Sequence, residues 1–234
     1  MKGVTGMGLP LFATPILAAV FGPRPAVAII SIPIFASNLV LVWQGREGLG
    51  VVRRFWLVAA AGAIGVVVGL ALLVRLDQNL LALLMAALVV LFIARGDRVL
   101  GDDPEAARVK VVGPLVGVLG GVLMGSTSIA SPLLGGYLHA LRLSPREFVV
   151  LLAAIFQIFG TVQILGLWRL GLYDQTTLPA SLLGLVPTLA FTLVGARIRD
   201  RLDNEVFRRL IVILLGLSAV NLVVQGLRGL GLFV

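Results

Sequence analysis

Along this chain apolar residues come in long unbroken blocks, and charged residues fall in short clusters between them. Uncharged apolar runs occupy roughly 3 to 21, 25 to 45, 55 to 74, 80 to 94, 111 to 141, 147 to 168, 175 to 196 and 210 to 227. The charged connections are Arg46 to Arg54, Arg75 to Asp77, Arg95 to Lys110, Arg142 to Glu147, Arg169 to Asp174 and Arg197 to Arg209. A block of about twenty residues without Asp, Glu, Lys or Arg is what a helix needs to cross a hydrocarbon layer of about 30 Å. The blocks do not alternate as barrel strands do, and only helices and closed barrels satisfy their backbone in lipid. The pattern predicts an all-α polytopic membrane protein.

Only the block from Val111 to Leu141 is too long for one ordinary span, and it is interrupted by GSTSIASP, Gly125 to Pro132. Sliding the chain by 122 residues sets GVTGMGLPLFATPILAAVFGPRP, from Gly3, on GSTSIASPLLGGYLHALRLSPRE, from Gly125, without a gap. Thr5 meets Thr127, Pro10 meets Pro132, and Pro23-Arg24 meets Pro145-Arg146. The register divides the chain into a first repeat, 1–100, and a second, 111–234. Residues 111–124 have no counterpart in the first repeat, which lacks a leading half-helix; the natural start lies upstream of Met1 or the chain is short at this end.

Charge chooses between two topologies. If every run crosses once, the two sides carry 10 and 9 positive residues, which sets no orientation. If 111–141 enters, breaks at GSTSIASP and returns, one side holds 14 (the Lys and Arg of 46–54, 95–110, 142–147 and 197–209) against Arg24, Arg75, Arg169 and Arg228. The positive-inside rule selects the second arrangement and makes loops 46–54, 95–110, 142–147 and 197–209 cytoplasmic. Each half is then a re-entrant or broken helix plus three crossings. An odd number of crossings makes two inverted repeats, a plan shared by secondary transporters. A kinked continuous helix is the competing reading.

Composition agrees with the membrane assignment: 59% of residues are hydrophobic, 13% charged, and mean hydropathy is +1.08. The net charge of +8 and pI near 11.4 come from loop residues rather than one patch, so headgroups and not nucleic acid are the partner they imply. There is no cysteine, and no cleavable signal peptide is visible. With one histidine and no carboxylate deep in a run, the usual metal sites, catalytic triads and carboxylate proton relays have no residues to build them. No enzyme activity, cofactor or metal is expected.

The break carries the candidate chemistry. A helix starting near Ser128 or Ser131 points its free amides and positive dipole end at the break, and Gly125, Ser126, Thr127, Ser128 and Ser131 add permissive backbone and hydroxyls. Thr5, Gly6 and Gly8 supply the same parts in the first repeat. Two such ends would make a neutral, hydroxyl-lined pocket for a small oxyanion. Asn38, Gln157 and Gln163, with Ser31, Ser37 and Thr161, are candidates for its wall, because a buried amide is costly without a partner or ligand. Interhelical hydrogen bonding is the competing reading for each, and close helix packing is the competing reading for Gly117, Gly121 and Gly125 at four-residue spacing. His139, Trp43, Trp56 and Trp168 read as interfacial side chains.

With its duplication, the glycine-rich opening GVTGMG, the turn Gly22-Pro23-Arg24-Pro25-Ala26 and the connection GREGLGVVRRFW (Gly45 to Trp56), the chain resembles the sulfite exporter TauE/SafE family of bacterial membrane permeases. The resemblance implies movement of small sulfur-containing or carboxylated anions, such as sulfite, sulfoacetate or other organosulfonates, across the bacterial inner membrane. It departs from the family in its missing first helix and in a second copy richer in hydroxyls than in glycine. The expected partners are lipid and a small anionic substrate, and a homodimer is left open. A non-transporting scaffold subunit and an uptake permease are the alternatives.

Overall fold

The computed structural model describes residues 9–75, 77, 111–141 and 143–199, with isolated positions 206, 209, 213, 217, 220 and 224. The expected runs 80–94 and 210–227, the loop 95–110 and the first-repeat residues Thr5, Gly6 and Gly8 lie outside it, apart from those isolated positions. Among the described residues every regular element is helical. In chain order they are α1 (Leu9–Phe21), α2 (Pro23–Gln44), a 3-10 turn (Arg46–Gly48), α3 (Gly50–Arg54), α4 (Trp56–Arg75), α5 (Gly113–Thr127), α6 (Ser131–Ala140), α7 (Pro145–Arg169), α8 (Thr177–Leu183) and α9 (Leu185–Arg199). α2, α4, α7 and the stretch Thr177–Gly195 are long and apolar enough to cross a membrane.

Helix starts follow local chemistry. Pro23 and Pro145 each stand in the first turn of a helix, where proline's missing N–H has no partner to lose. Ser144 caps α7 in a capping box: its Oγ accepts from the Glu147 N–H at 3.3 Å, and Glu147 Oε2 accepts from the Ser144 N–H at 3.1 Å. α2 and α7 begin at Pro23 and Pro145, 122 residues apart. The run expected as one helix from 175 to 196 is instead divided at Gly184. Pro187 explains the division: without an N–H it cannot bond the carbonyl four residues earlier, while Gly184 N and Thr188 N keep the ladder going on either side.

Contacts along α4 fix the directions of its neighbours. α5 lies parallel to α4, backbone against backbone, with Gly117, Gly121 and Gly125 set in step on the carbonyls of Val58, Gly62 and Val66. From the other helix, Gly65 and Gly69 face the carbonyls of Val118 and Val122. α5 therefore starts beside the Trp56 end of α4. α6 then doubles back. A methyl placed on Gly120 would lie 3.0 Å from Leu134 Cγ, whereas fourteen residues of continuous helix would separate them by about 21 Å. A kinked continuous helix is thus replaced by a hairpin, α5 going in and α6 returning.

α7 starts where the hairpin ends, at the Trp56 end of α4, since Arg146 pairs with Glu47 at 2.8 Å. At the opposite end Arg24, on the first turn of α2, donates from Nε to Leu73 O at 3.2 Å and from Nη2 to Val74 O at 2.7 Å, closing the C-terminus of α4. Tyr173, just past α7, meets Ser31 near the start of α2 at 2.7 Å. α2 and α7 thus run antiparallel. Arg46, Arg53, Arg54 and Arg146 share one end of the molecule, and Arg24 and Arg75 share the other. The single-crossing topology would have separated Arg46 from Arg146. The core between these helices is apolar and closed, with Leu41, Val58, Val66, Leu134, Tyr137, Leu151, Ile155 and Phe159 at 1% exposure or less.

Candidate functional site at the hairpin tip

α5 ends as the hydrophobic block is interrupted. Ser128 takes the left-handed conformation, φ 61, which closes the helix by a bond from its N–H to Met124 O at 2.9 Å. It is the one non-glycine residue with positive φ among the described residues. Ile129 and Ala130 follow outside any helix, and Ser131 and Pro132 open α6. Because Gly125 rests against Val66 and Leu70, the tip, a turn further on, stands in the second half of α4. It is buried: Ser126 and Ser128 are fully enclosed, and Ile129, Ala130 and Ser131 nearly so.

At this tip the negative end of α5 and the positive end of α6 meet, and they are treated differently. The last carbonyls of α5 are bonded. Val122 O accepts from Ser126 Oγ at 2.7 Å, Leu123 O from Thr127 Oγ1 at 2.9 Å, and Met124 O from both the Ser128 N–H and Gln163 Nε2, the latter at 2.6 Å. The start of α6 carries no side-chain cap, and its first ladder bond runs from Leu134 N to Ala130 O. The Ser131 and Leu133 amides precede that ladder, and amides at such a start have no partner within the helix. The dipole that repels an anion is covered with donors, and the one that attracts it is open.

Gln163, in the second half of α7, is fully buried and reaches this point from across the bundle. Its Nε2 donates to Met124 O and, at 3.0 Å, to Ser128 Oγ. Its Oε1 is buried with no hydrogen-bond partner. Ser128 Oγ is then an acceptor toward Gln163 and keeps its own proton to donate elsewhere.

The other predicted wall residues divide. Gln157 lies about 120° round α7 from Gln163 at 100° per residue; it is half-buried, its Oε1 has no partner, and its carbonyl accepts from Thr161 Oγ1 at 2.8 Å. Asn38 is fully buried in α2, and Ser31 and Ser37 donate to Ala28 O and Ile34 O of that helix. Ser126 and Thr127 spend hydroxyl protons on their own helix, and Gly125 packs against the α4 backbone. What sequence reasoning did not foresee is the partner stripe Gly62, Gly65 and Gly69 on α4, although its close spacing of glycines was the available signal. Among the described residues no cluster of His, Cys, Asp or Glu could hold a metal.

A family model described as Sulfite exporter TauE/SafE matches residues 1–222. Neither the curated proteins nor the solved structures contain a match. The chain belongs to the TauE/SafE family and is a multi-pass membrane protein of a transporter family.

Proposed function

We propose that this TauE/SafE chain is an exporter of small sulfur-containing or organic oxyanions, bound inside the bilayer at the tip of the α5–α6 hairpin. One observation carries the reading: an uncapped helix start in a buried setting, beside a helix end whose carbonyls are covered. The Ser131 and Leu133 amides and the Ser128 hydroxyl would hold the oxyanion, and the apolar surroundings would strengthen each of those charge–dipole interactions. The antiparallel α2 and α7, which start 122 residues apart at Pro23 and Pro145, support two inverted repeats. In that register Gly6 takes the position of Ser128, and glycine adopts the left-handed conformation without penalty. Thr5, Gly6 and Gly8 would complete the site from the first repeat.

The end carrying segments 46–54 and 142–147 is the cytoplasmic one in this reading, in a bacterial inner membrane. An inside-negative potential then drives anion exit by about 2.3 kcal/mol per charge per 100 mV, so export needs no coupling ion. Export of sulfite, sulfoacetate and a carboxylate control from loaded proteoliposomes is the test. Saturable efflux that Ser128→Ala removes supports the reading. Well-folded protein that moves none of the three anions would instead point to a scaffold subunit.

A further inference from the structure

Gln163 Oε1 is an acceptor with nothing to accept from. It belongs to a fully buried side chain whose nitrogen is held by Met124 O and Ser128 Oγ, and the 2.6 Å contact of that nitrogen with a carbonyl fixes which amide atom is which. The unpartnered oxygen therefore stands at the hairpin tip, on the amide that meets the Ser128 hydroxyl. Leaving such an oxygen dry is costly, and a fully ionised oxyanion, which has only lone pairs to offer, would make it worse.

Resting on the oxyanion reading above, we infer that the tip selects oxyanions that carry their own hydrogen-bond donor. Such a ligand is a monoanion with one acidic hydrogen left, such as hydrogensulfite or a hydrogen phosphonate. Its ionised oxygens face the Ser128 hydroxyl and the α6 amides, and its O–H faces Gln163 Oε1. Charge and donor are then matched on opposite sides of one small head group. A site built to bond a hydroxyl rejects the analogue that lacks it, because the buried partner is left unpaired. The dianion of the same acid loses the donor and gains a second charge to desolvate, so it is rejected twice over.

Methanesulfonate and hydrogen methylphosphonate separate this selection from anion binding in general. They share a charge and a tetrahedral shape and differ in one O–H. Each would be titrated as a competitor of sulfite efflux from proteoliposomes of the full chain. The expected result is that hydrogen methylphosphonate competes at concentrations at least about tenfold lower, the ratio that one unsatisfied buried acceptor corresponds to. Raising the pH until methylphosphonate is a dianion should remove that advantage, and Gln163→Met, which keeps length but no acceptor, should level the two competitors.

Equal competition by the two anions in the wild type, at a pH where the phosphonate is a monoanion, overturns the inference and leaves the oxyanion site standing. Sulfite efflux that neither anion touches overturns the inference alone, and no efflux from folded protein overturns both. If Gln163→Met does not fold, the wild-type comparison and its pH dependence still decide.

Discussion

Gln163 Nε2 lies 3.0 Å from Ser128 Oγ and ties α7 to the hairpin tip across thirty-five positions of sequence. The bond joins the side chain of a span to the one left-handed serine among the described residues, and so couples the shape of the break to the packing of the bundle. Ser128 has two properties that substitution can separate, its backbone angle and its hydroxyl. Ser128→Gly keeps the first without strain and Ser128→Ala keeps neither the hydroxyl nor a comfortable φ. Ser128→Gly should therefore melt as the more stable of the two by about 1 kcal/mol, while both lose anion efflux. Thermal unfolding in detergent, read beside efflux, checks this; equal stability would mean that the left-handed angle is not strained.

The α4–α5 contact is backbone on backbone, and a side chain cannot enter it. A Cβ on Gly121 would collide with Gly62 O and stand 2.8 Å from Val66 N, backbone atoms that cannot swing away. Gly121→Ala should cost about 1–3 kcal/mol or prevent assembly. Gly48→Ala, where nothing lies within 4 Å, is the control and should melt like the wild type.

Arg146 and Glu47 are both exposed, so their 2.8 Å pair contributes at most about 1 kcal/mol to stability. Its value is topological. The chain contains no cysteine, which gives a clean background for labelling. Glu47→Cys and Arg146→Cys should react with an impermeant thiol reagent from the same side of the membrane and cross-link when combined, whereas Arg24→Cys should react from the other side. Reaction of Glu47→Cys and Arg146→Cys from opposite sides would restore the single-crossing topology.

Asp174 sits in the loop before α8, and its Oδ1 accepts from the Thr176 N–H at 2.8 Å, the Thr177 N–H at 2.7 Å and the Thr177 hydroxyl at 3.0 Å. The Thr177 amide first, then the Thr176 amide and the Thr177 hydroxyl, hold its pKa below the usual aspartate value. A depressed carboxyl pKa gives stability that is present above the unfolded-state value, about 3.9, and is lost as pH falls through the lower folded-state value. Melting temperature should fall over that acidic window, and Asp174→Asn should flatten the fall. An unchanged slope in the variant would assign the acid sensitivity to other groups.

The sequence by itself determined that the chain is built of apolar membrane-spanning helices and where its long block breaks. Both are local: charge-free length reports partition into hydrocarbon, and a cluster of glycine, hydroxyls and proline reports a helix interruption. The return of α6 was legible only through counted loop charges. Tertiary structure alone decided that Gln163 and not Gln157 meets the break, that Ser126 and Thr127 turn their hydroxyls onto their own helix, and that Gly125 serves the α4 contact. Lipid is as apolar as leucine, so hydrophobicity does not say which face of a span meets another. That choice is made by how closely two backbones can approach and which buried polar atoms can reach each other, and both depend on residues distant in sequence.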